Sequence, residues 1–153
     1  MNLYDTLNKL NIEYQEVEHE AVYSKEESQK IKDMINGVGC KSLFLHNKNN
    51  YYLVLLDDSK QADLKMLANI TNENRLSFGN EDKLMEILKL KRGSVTPFGI
   101  INDKDNIVTL LIDKDLENKY ILTHPNINTK TIRVFYDDLI KFIEFEKHNY
   151  KLF

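Results

Sequence analysis

The stretches KSLFLH (residues 41–46) and YYLVLL (residues 51–56) carry the strongest structural signal in the chain. Both are rich in apolar and aromatic residues, which favour strands, and the four polar residues 47–50 between them favour a turn. Together they predict a β-hairpin. Because the second stretch is apolar at nearly every position, we expect its strand to lie in the middle of a sheet, buried on both faces.

Short helices and strands alternate on both sides of this hairpin. Apolar residues at helical spacing predict helices near residues 3–10, 25–35, 61–68, 80–90 and 137–145. Runs of β-type residues predict further strands near residues 12–18, 75–78, 107–112, 120–124 and 131–135. Strands mixed with short helices around one core predict an α+β (mixed α/β) fold with a curved sheet. We see no repeat or linker, so residues 1–153 are expected to form a single domain.

Composition favours an intracellular globular protein. The chain has 153 residues, of which 42% are hydrophobic and 29% charged, and no apolar run approaches the roughly 20 residues that span a bilayer. The first residues lack the basic start and apolar stretch of a signal peptide. The single cysteine, Cys40, cannot form an internal disulfide. We therefore expect a cytoplasmic location and no membrane association.

The charge balance argues against a protein that coats nucleic acid. The chain carries 21 basic and 24 acidic residues, a net charge of −3, whereas proteins that bind along a phosphate backbone are usually basic. DNA binding is therefore not expected. The balance still allows a protein that contacts only the end of a nucleic acid.

Common catalytic and metal-binding motifs are missing from the sequence. There is no phosphate-binding P-loop, no Gly-x-Gly-x-x-Gly, no His-Glu-x-x-His and no Gly-x-Ser-x-Gly, and the four histidines lack the spacing of a metal site. We expect no metal and no cofactor. Cys40 is expected to pack rather than to act as a nucleophile.

The segment GSVTPFG (residues 93–99) is the most informative loop. Gly93 permits a positive φ and Pro97 fixes its own φ, so the backbone between them must follow a tight, rigid path. Such a turn can direct consecutive N–H groups into one cavity, where they would bind a carbonyl oxygen or an oxyanion. An ordinary loop between a helix and a strand is the alternative.

Several further segments, taken in chain order, strengthen the first interpretation. They are HEAVYS (residues 19–24) followed by Glu26 and Glu27, CKSLFL (40–45), the Gly93-x-x-x-Pro97 segment, and YIL (120–122) followed by HPN (124–126). Across residues 3–145 this ordered set resembles the YbaK/ProX aminoacyl-tRNA deacylase family. With Asn128 and Thr129, it is most similar to the free-standing prolyl-tRNA editing branch, which acts on alanyl-tRNA(Pro).

The resemblance implies a barrel-like mixed sheet flanked by helices and the hydrolysis of mischarged tRNA. It implies that the catalytic residues are Lys41, Gly93, Ser94, Val95, Thr96 and Pro97, and that substrate is bound by Tyr23, Ser42, Phe98 and His124. For His124, ordering the loop before Pro125 is the alternative role. The 2′-hydroxyl of the terminal adenosine is expected to position or activate the water. The expected partner is the acceptor end of tRNA(Pro) carrying a small amino acid, with prolyl-tRNA synthetase as a candidate second partner.

Substrate choice leaves alternatives open. A pocket too small for the pyrrolidine ring would reject proline by steric clash, which is easier than favouring a larger substrate. A different pocket volume would allow cysteinyl-tRNA(Pro) deacylation. A non-catalytic module that binds aminoacyl-tRNA or a synthetase is the alternative from another class, whereas no residue specifically supports a small-molecule enzyme. The deacylase hypothesis requires the Gly93 bend to lie across from Lys41.

Overall fold

A computed structural model describes residues 2–21 and 24–153. In chain order the elements are α1 (Leu3–Lys9), β1 (Gln15–Glu18), α2 (Lys25–Met34), β2 (Val38–Asn47), β3 (Asn50–Asp57), α3 (Leu64–Ile70), β4 (Ser77–Phe78), α4 (Glu81–Leu88), β5 (Val108–Ile112), β6 (Tyr120–Thr123), β7 (Lys130–Phe135), α5 (Tyr136–Phe145) and β8 (Tyr150–Leu152). Two short 3₁₀ helices cover Pro97–Asn102 and Lys114–Leu116. None of the helices in these ranges is long and apolar enough to cross a membrane.

The strands of the described residues form one mixed sheet in the order β1-β7-β6-β2-β3-β5-β8, with β4 beside β2. The β2–β3, β6–β7 and β1–β7 pairs are antiparallel, whereas β2–β6, β3–β5 and β5–β8 are parallel. This arrangement, with short helices around a mixed sheet, confirms the predicted fold class.

Strand β3 is buried on both faces, as its apolar sequence predicted. Leu53 and Leu55 belong to the larger core cluster, which also contains Phe98 and Phe142. Val54 and Leu56 belong to a second cluster, which includes Leu67 of α3. Because successive side chains of a strand point to opposite faces, this one strand supports both cores. Fully burying each such leucine contributes about 1.5–3 kcal/mol.

Strand β2 changes partners along its length. It pairs with β6 at Val38 and Gly39, and with β4 at Leu45 and His46. Between these points, residues 40–43 pair with β3 alone among the described strands. One edge of β2 is therefore left uncovered by any strand of the described chain, and this opening positions the site.

Two local features differ from the expectation. The hairpin turn contains only Lys48 and Asn49, because Asn47 already pairs with Asn50, and Lys48 adopts a positive φ of 53°. Strand β8 was not predicted, since its three residues carry too short a pattern. It forms only because it pairs with the edge of β5.

Asp103 provides a test of the packing that supports the 3₁₀ helix and β5. Its buried carboxylate accepts hydrogen bonds from the N–H groups of Ile107 (3.2 Å) and Val108 (2.8 Å), and its Oδ2 lies 2.9 Å from His148 Nε2. Asp103→Ala leaves these groups unpaired and should lower the free energy of unfolding by roughly 2–4 kcal/mol, measured by urea denaturation. Asp105→Ala, at a neighbouring exposed turn position, should change it little. Equal losses for the two variants would contradict this assignment.

Candidate active site

The loop from Gly93 to Pro97 has the rigid shape that its sequence predicted. Gly93 adopts a φ of 87°, in the region that favours glycine. The Ser94 N–H donates to the Lys91 carbonyl at 3.0 Å, which closes the turn. Pro97 then begins the 3₁₀ helix, where its missing N–H costs nothing. The buried Thr96 caps this helix, since its Oγ1 accepts from the Phe98 N–H at 3.3 Å.

This loop is attached to the segment that follows β6. Thr96 Oγ1 donates a hydrogen bond to the His124 carbonyl at 2.6 Å, and Asn126 Nδ2 donates to the Phe98 carbonyl at 3.3 Å. Thr123 Oγ1 lies 3.4 Å from Thr96 Oγ1. The structure therefore brings together two motifs that are about 30 residues apart in the chain.

Two backbone amides of the loop remain available to a substrate. Within the described part of the chain, the N–H groups of Gly93, Val95 and Thr96 have no hydrogen-bond partner. The Ser94 N–H is used inside the turn, and Pro97 has no N–H to donate. Thr96 is fully buried, so the candidate oxyanion donors are Gly93 and Val95, and Pro97 contributes rigidity.

A small cavity, here called cavity A, opens beside the start of β2. Its volume is 70 Å³, and its walls come from α2, β2, β6 and β7. The lining residues include Ser28, Ile31, Lys32, Cys40, Thr123, His124 and Thr131. A cavity of about 150 Å³ holds one benzene molecule, so cavity A accepts a group well below the size of a six-membered ring.

His124 presents an unprotonated ring nitrogen at this cavity. Its Nδ1 lies 2.9 Å from the Lys130 carbonyl, which can only accept, so Nδ1 carries the proton. Burial, with a smaller contribution from His19, lowers the pKa of His124 below its usual 6.5. The imidazole is therefore neutral near pH 7, and its Nε2 is a hydrogen-bond acceptor.

The structure adds site residues that sequence reasoning did not assign. His19 Nε2 lies 2.8 Å from Thr131 Oγ1, and its ring centroid lies 6.3 Å from that of His124. Lys32 and Asp58 form an ion pair of 2.8 Å at the wall of cavity A. These pairs join residues far apart in the chain, so no local pattern indicates them. Burial raises the pKa of the Cys40 thiol, which agrees with its predicted packing role.

The wall of cavity A requires glycine at position 39, because the side chains of Lys32 and Asp58 approach its backbone closely. A Cβ at Gly39 would overlap Asp58 Oδ2 and Lys32 Cε, so a larger residue would displace the ion pair. The glycine thus brings the Lys32–Asp58 pair directly against β2.

A second and larger cavity, here called cavity B, lies further along the same strand. Its volume is 540 Å³, and it is lined by Ser42, Phe44, Phe78, Asn80, Arg92, Gly93 and Val95, among others. Ser42 and the Gly93 loop therefore share one cavity. The uncovered edge of β2 runs between cavity A, which Cys40 lines, and cavity B.

Lys41 lies on this edge, between the two cavities. The alternation of the strand places its side chain on the face of Leu43 and Leu45, opposite the face of Ser42. Within the described chain, its ammonium has no ion pair, and it lines neither cavity. The structure thus brings the Lys41 backbone to the opening, and the approach of its ammonium to the Gly93 loop stays a prediction.

Phe98 and Tyr23 are the other two residues predicted to bind substrate. The Phe98 ring is 1% exposed and packs edge-on against Phe142, with centroids 5.1 Å apart, so the structure places it in the core instead of at a cavity. Tyr23 lies outside the described residues.

Comparisons with known proteins show the family of this chain. Residues 19–142 match the family described as the aminoacyl-tRNA editing domain. The chain is 36% identical to the prolyl-tRNA editing protein ProX of Acetoanaerobium sticklandii, over 95% of this chain and 90% of the relative. It is 31% identical to the prolyl-tRNA synthetase associated domain-containing protein 1 of Danio rerio, over 95% of this chain and 82% of the relative.

A solved structure shares the fold. The crystal structure of a candidate trans-editing enzyme for prolyl tRNA synthetase superimposes with a TM-score of 0.74 and 16% identity, covering 97% of this chain and 92% of that one. At this identity the likeness shows the fold alone.

The chain belongs to the aminoacyl-tRNA editing domain family. It is an aminoacyl-tRNA deacylase, which confirms the enzyme class that the ordered motifs implied.

The lowered pKa of His124 predicts a loss of stability in acid. The group is neutral when folded and has a pKa near 6.5 when unfolded, so its contribution is present above pH 6.5 and is lost as the pH falls through the folded pKa. NMR titration of the His124 ring should give a pKa below 6.5. His124→Gln should weaken the loss of unfolding free energy between pH 7.5 and pH 5. A titration midpoint above 6.5 would contradict the effect assigned to burial.

Proposed function

We propose that this protein hydrolyses alanyl-tRNA(Pro) in trans, with prolyl-tRNA synthetase as a second partner. The observation that carries the proposal is the small cavity A beside a loop with two available amides, at Gly93 and Val95. The names of two relatives, a prolyl-tRNA editing protein and a prolyl-tRNA synthetase associated protein, support the choice of tRNA.

The Gly93 loop supplies the electrostatic part of the proposed mechanism. Water attacks the ester carbonyl carbon, and negative charge develops on the carbonyl oxygen. The N–H groups of Val95 and Gly93 stabilise that oxygen, and the loss of one such donor typically costs about 2.7–4 kcal/mol of transition-state stabilisation. The rigid φ of Gly93 and the Thr96–His124 hydrogen bond hold these donors in place before substrate arrives.

Proton transfer in this reaction needs no charged protein base. The water oxygen bonds to the carbonyl carbon, the bond to the ribose oxygen breaks, and a water proton reaches that leaving oxygen through the neighbouring 2′-hydroxyl. Neutral His124 accepts a hydrogen bond from the substrate through Nε2. Lys41 lies at the opening outside both cavities, and its ammonium holds a phosphate or ribose oxygen of the substrate there. The products are free alanine and uncharged tRNA.

Cavity A supplies the selectivity. Its volume of 70 Å³ fits a methyl group and excludes the pyrrolidine ring of proline by steric clash. Ile31 forms an apolar part of the wall, which favours the methyl group of alanine over a polar side chain. The same limit disfavours the longer side chain of cysteine, so alanine is the preferred substrate over the cysteinyl alternative.

Hydrolysis of separately charged tRNA(Pro) tests the proposal. Purified protein should rapidly remove alanine, slowly remove cysteine and leave the prolyl ester intact. Lys41→Ala should lower kcat/KM for the alanyl ester at least about 100-fold, which corresponds to roughly 2.7 kcal/mol. Lys48→Ala, in the exposed hairpin turn, should act as the wild type. Binding of alanyl-tRNA without hydrolysis would indicate the non-catalytic module instead.

Ile31 lies in α2 and Ile35 follows its last residue. Substitutions at these two positions distinguish an effect on the size of cavity A from an effect on stability. Ile31 and Ile35 belong to one apolar cluster and are 7% and 6% exposed, but only Ile31 lines cavity A. Ile31→Ala and Ile35→Ala should each cost about 2–5 kcal/mol of stability. Only Ile31→Ala should enlarge the cavity and allow hydrolysis of prolyl-tRNA(Pro), measured below the unfolding midpoint of both variants. Equal rejection of proline by the two variants would contradict the steric sieve.

A further inference from the structure

We propose that cavity B binds the base of the tRNA's 3′-terminal adenosine, with the ring of Phe78 as its stacking surface. The inference rests on the proposed function and assigns the nucleoside of that substrate to a cavity distinct from the one that holds the amino acid.

Phe78 is an exposed aromatic ring on a fixed backbone. It is 62% exposed, the highest value among the large apolar side chains of the described chain. Its backbone pairs with Leu45 of β2, and the next N–H, that of Gly79, donates to the Phe44 carbonyl at 2.9 Å. A Cβ at Gly79 would overlap the Phe44 ring, so this glycine lets the segment lie directly on the core. An aromatic ring held in this way can stack on a base with little loss of conformational freedom.

Cavity B has the size and position that the proposed nucleoside requires. Its 540 Å³ is several times the volume of cavity A. Gly93 and Val95, whose N–H groups are the proposed oxyanion donors, line cavity B together with Phe78. Only the ribose separates the ester from the base in a charged tRNA. When the ester carbonyl meets these amides and the amino acid enters cavity A, the base of the same nucleoside therefore falls in cavity B.

A cation lies at the edge of the same cavity. Arg92 lines cavity B, and its side chain is 86% exposed. Its ion pair with Glu81 has an N–O distance of 3.4 Å, and an ion pair at this exposure contributes little. A phosphate can therefore replace Glu81 as the partner of Arg92. This places a positive charge where the phosphate of the terminal nucleotide leaves the cavity.

Adenosine 5′-monophosphate serves as the direct probe. Titrated into the ¹⁵N-labelled protein, it should shift the backbone amide signals of Phe78, Gly79 and Gly93. The shifts should persist in Phe78→Tyr, which keeps a stacking ring, and disappear in Phe78→Ala. Phe145→Ala, which removes a partly exposed ring from α5, should bind the nucleotide as the wild type.

Kinetics with alanyl-tRNA(Pro) provide the second measurement. Phe78→Ala should raise KM roughly 5- to 100-fold, as expected for one lost base–aromatic stack, and Phe78→Tyr should restore it. Phe145→Ala should keep the wild-type KM.

These measurements distinguish failure of the base site from failure of the proposed function. If the wild type does not hydrolyse alanyl-tRNA(Pro) but the nucleotide shifts the three amides and Phe78→Ala abolishes the shifts, the proposed function is wrong and the base site stands. If hydrolysis occurs but KM is unchanged in Phe78→Ala, or the nucleotide shifts no amide around cavity B, the base site is overturned.

Discussion

The change of hydrogen-bonding partners along β2 is the constraint on which the site depends. A strand inside a sheet normally has a neighbour on each edge, but residues 40–43 have β3 alone among the described strands. The strand can sustain this gap because β6 and β4 pair with its two ends and β3 pairs along most of its length. A substrate can approach the backbone of a central strand at this point, where a fully paired sheet would exclude it.

The elements around this opening supply different groups and cavities. The hydrogen bond from Thr96 to the His124 carbonyl joins the loop with the available amides to the segment that carries the neutral imidazole. Cavity A lies on one side and is small, which suits discrimination by size. Cavity B lies on the other and is several times larger. This division fits a substrate with a small amino acid at one end and a nucleoside next to it.

Much of this architecture could be predicted, because local patterns specify it. The hairpin and the double burial of β3 followed from apolar runs, the start of α4 at its Asn80 cap followed from side-chain capping, and the positive φ of Gly93 followed from glycine's freedom. The resemblance placed the Gly93 loop, Ser42 and His124 in the site. It assigned Phe98 to substrate, whereas the structure buries the Phe98 ring, because residue identity does not show which face of a 3₁₀ helix meets the core.

Sequence patterns determined the types of most elements and the enzyme family, since capping, periodicity and the spacing within each motif act over a few residues. Only the folded chain shows that Lys32 meets Asp58, that His19 meets Thr131, and that Phe78 stands exposed beside the Gly93 loop. The first two pairs span 26 and 112 positions. Contacts at such separations depend on how strands pair and helices pack. That arrangement is determined by the packing of the whole core and not by residues adjacent in sequence.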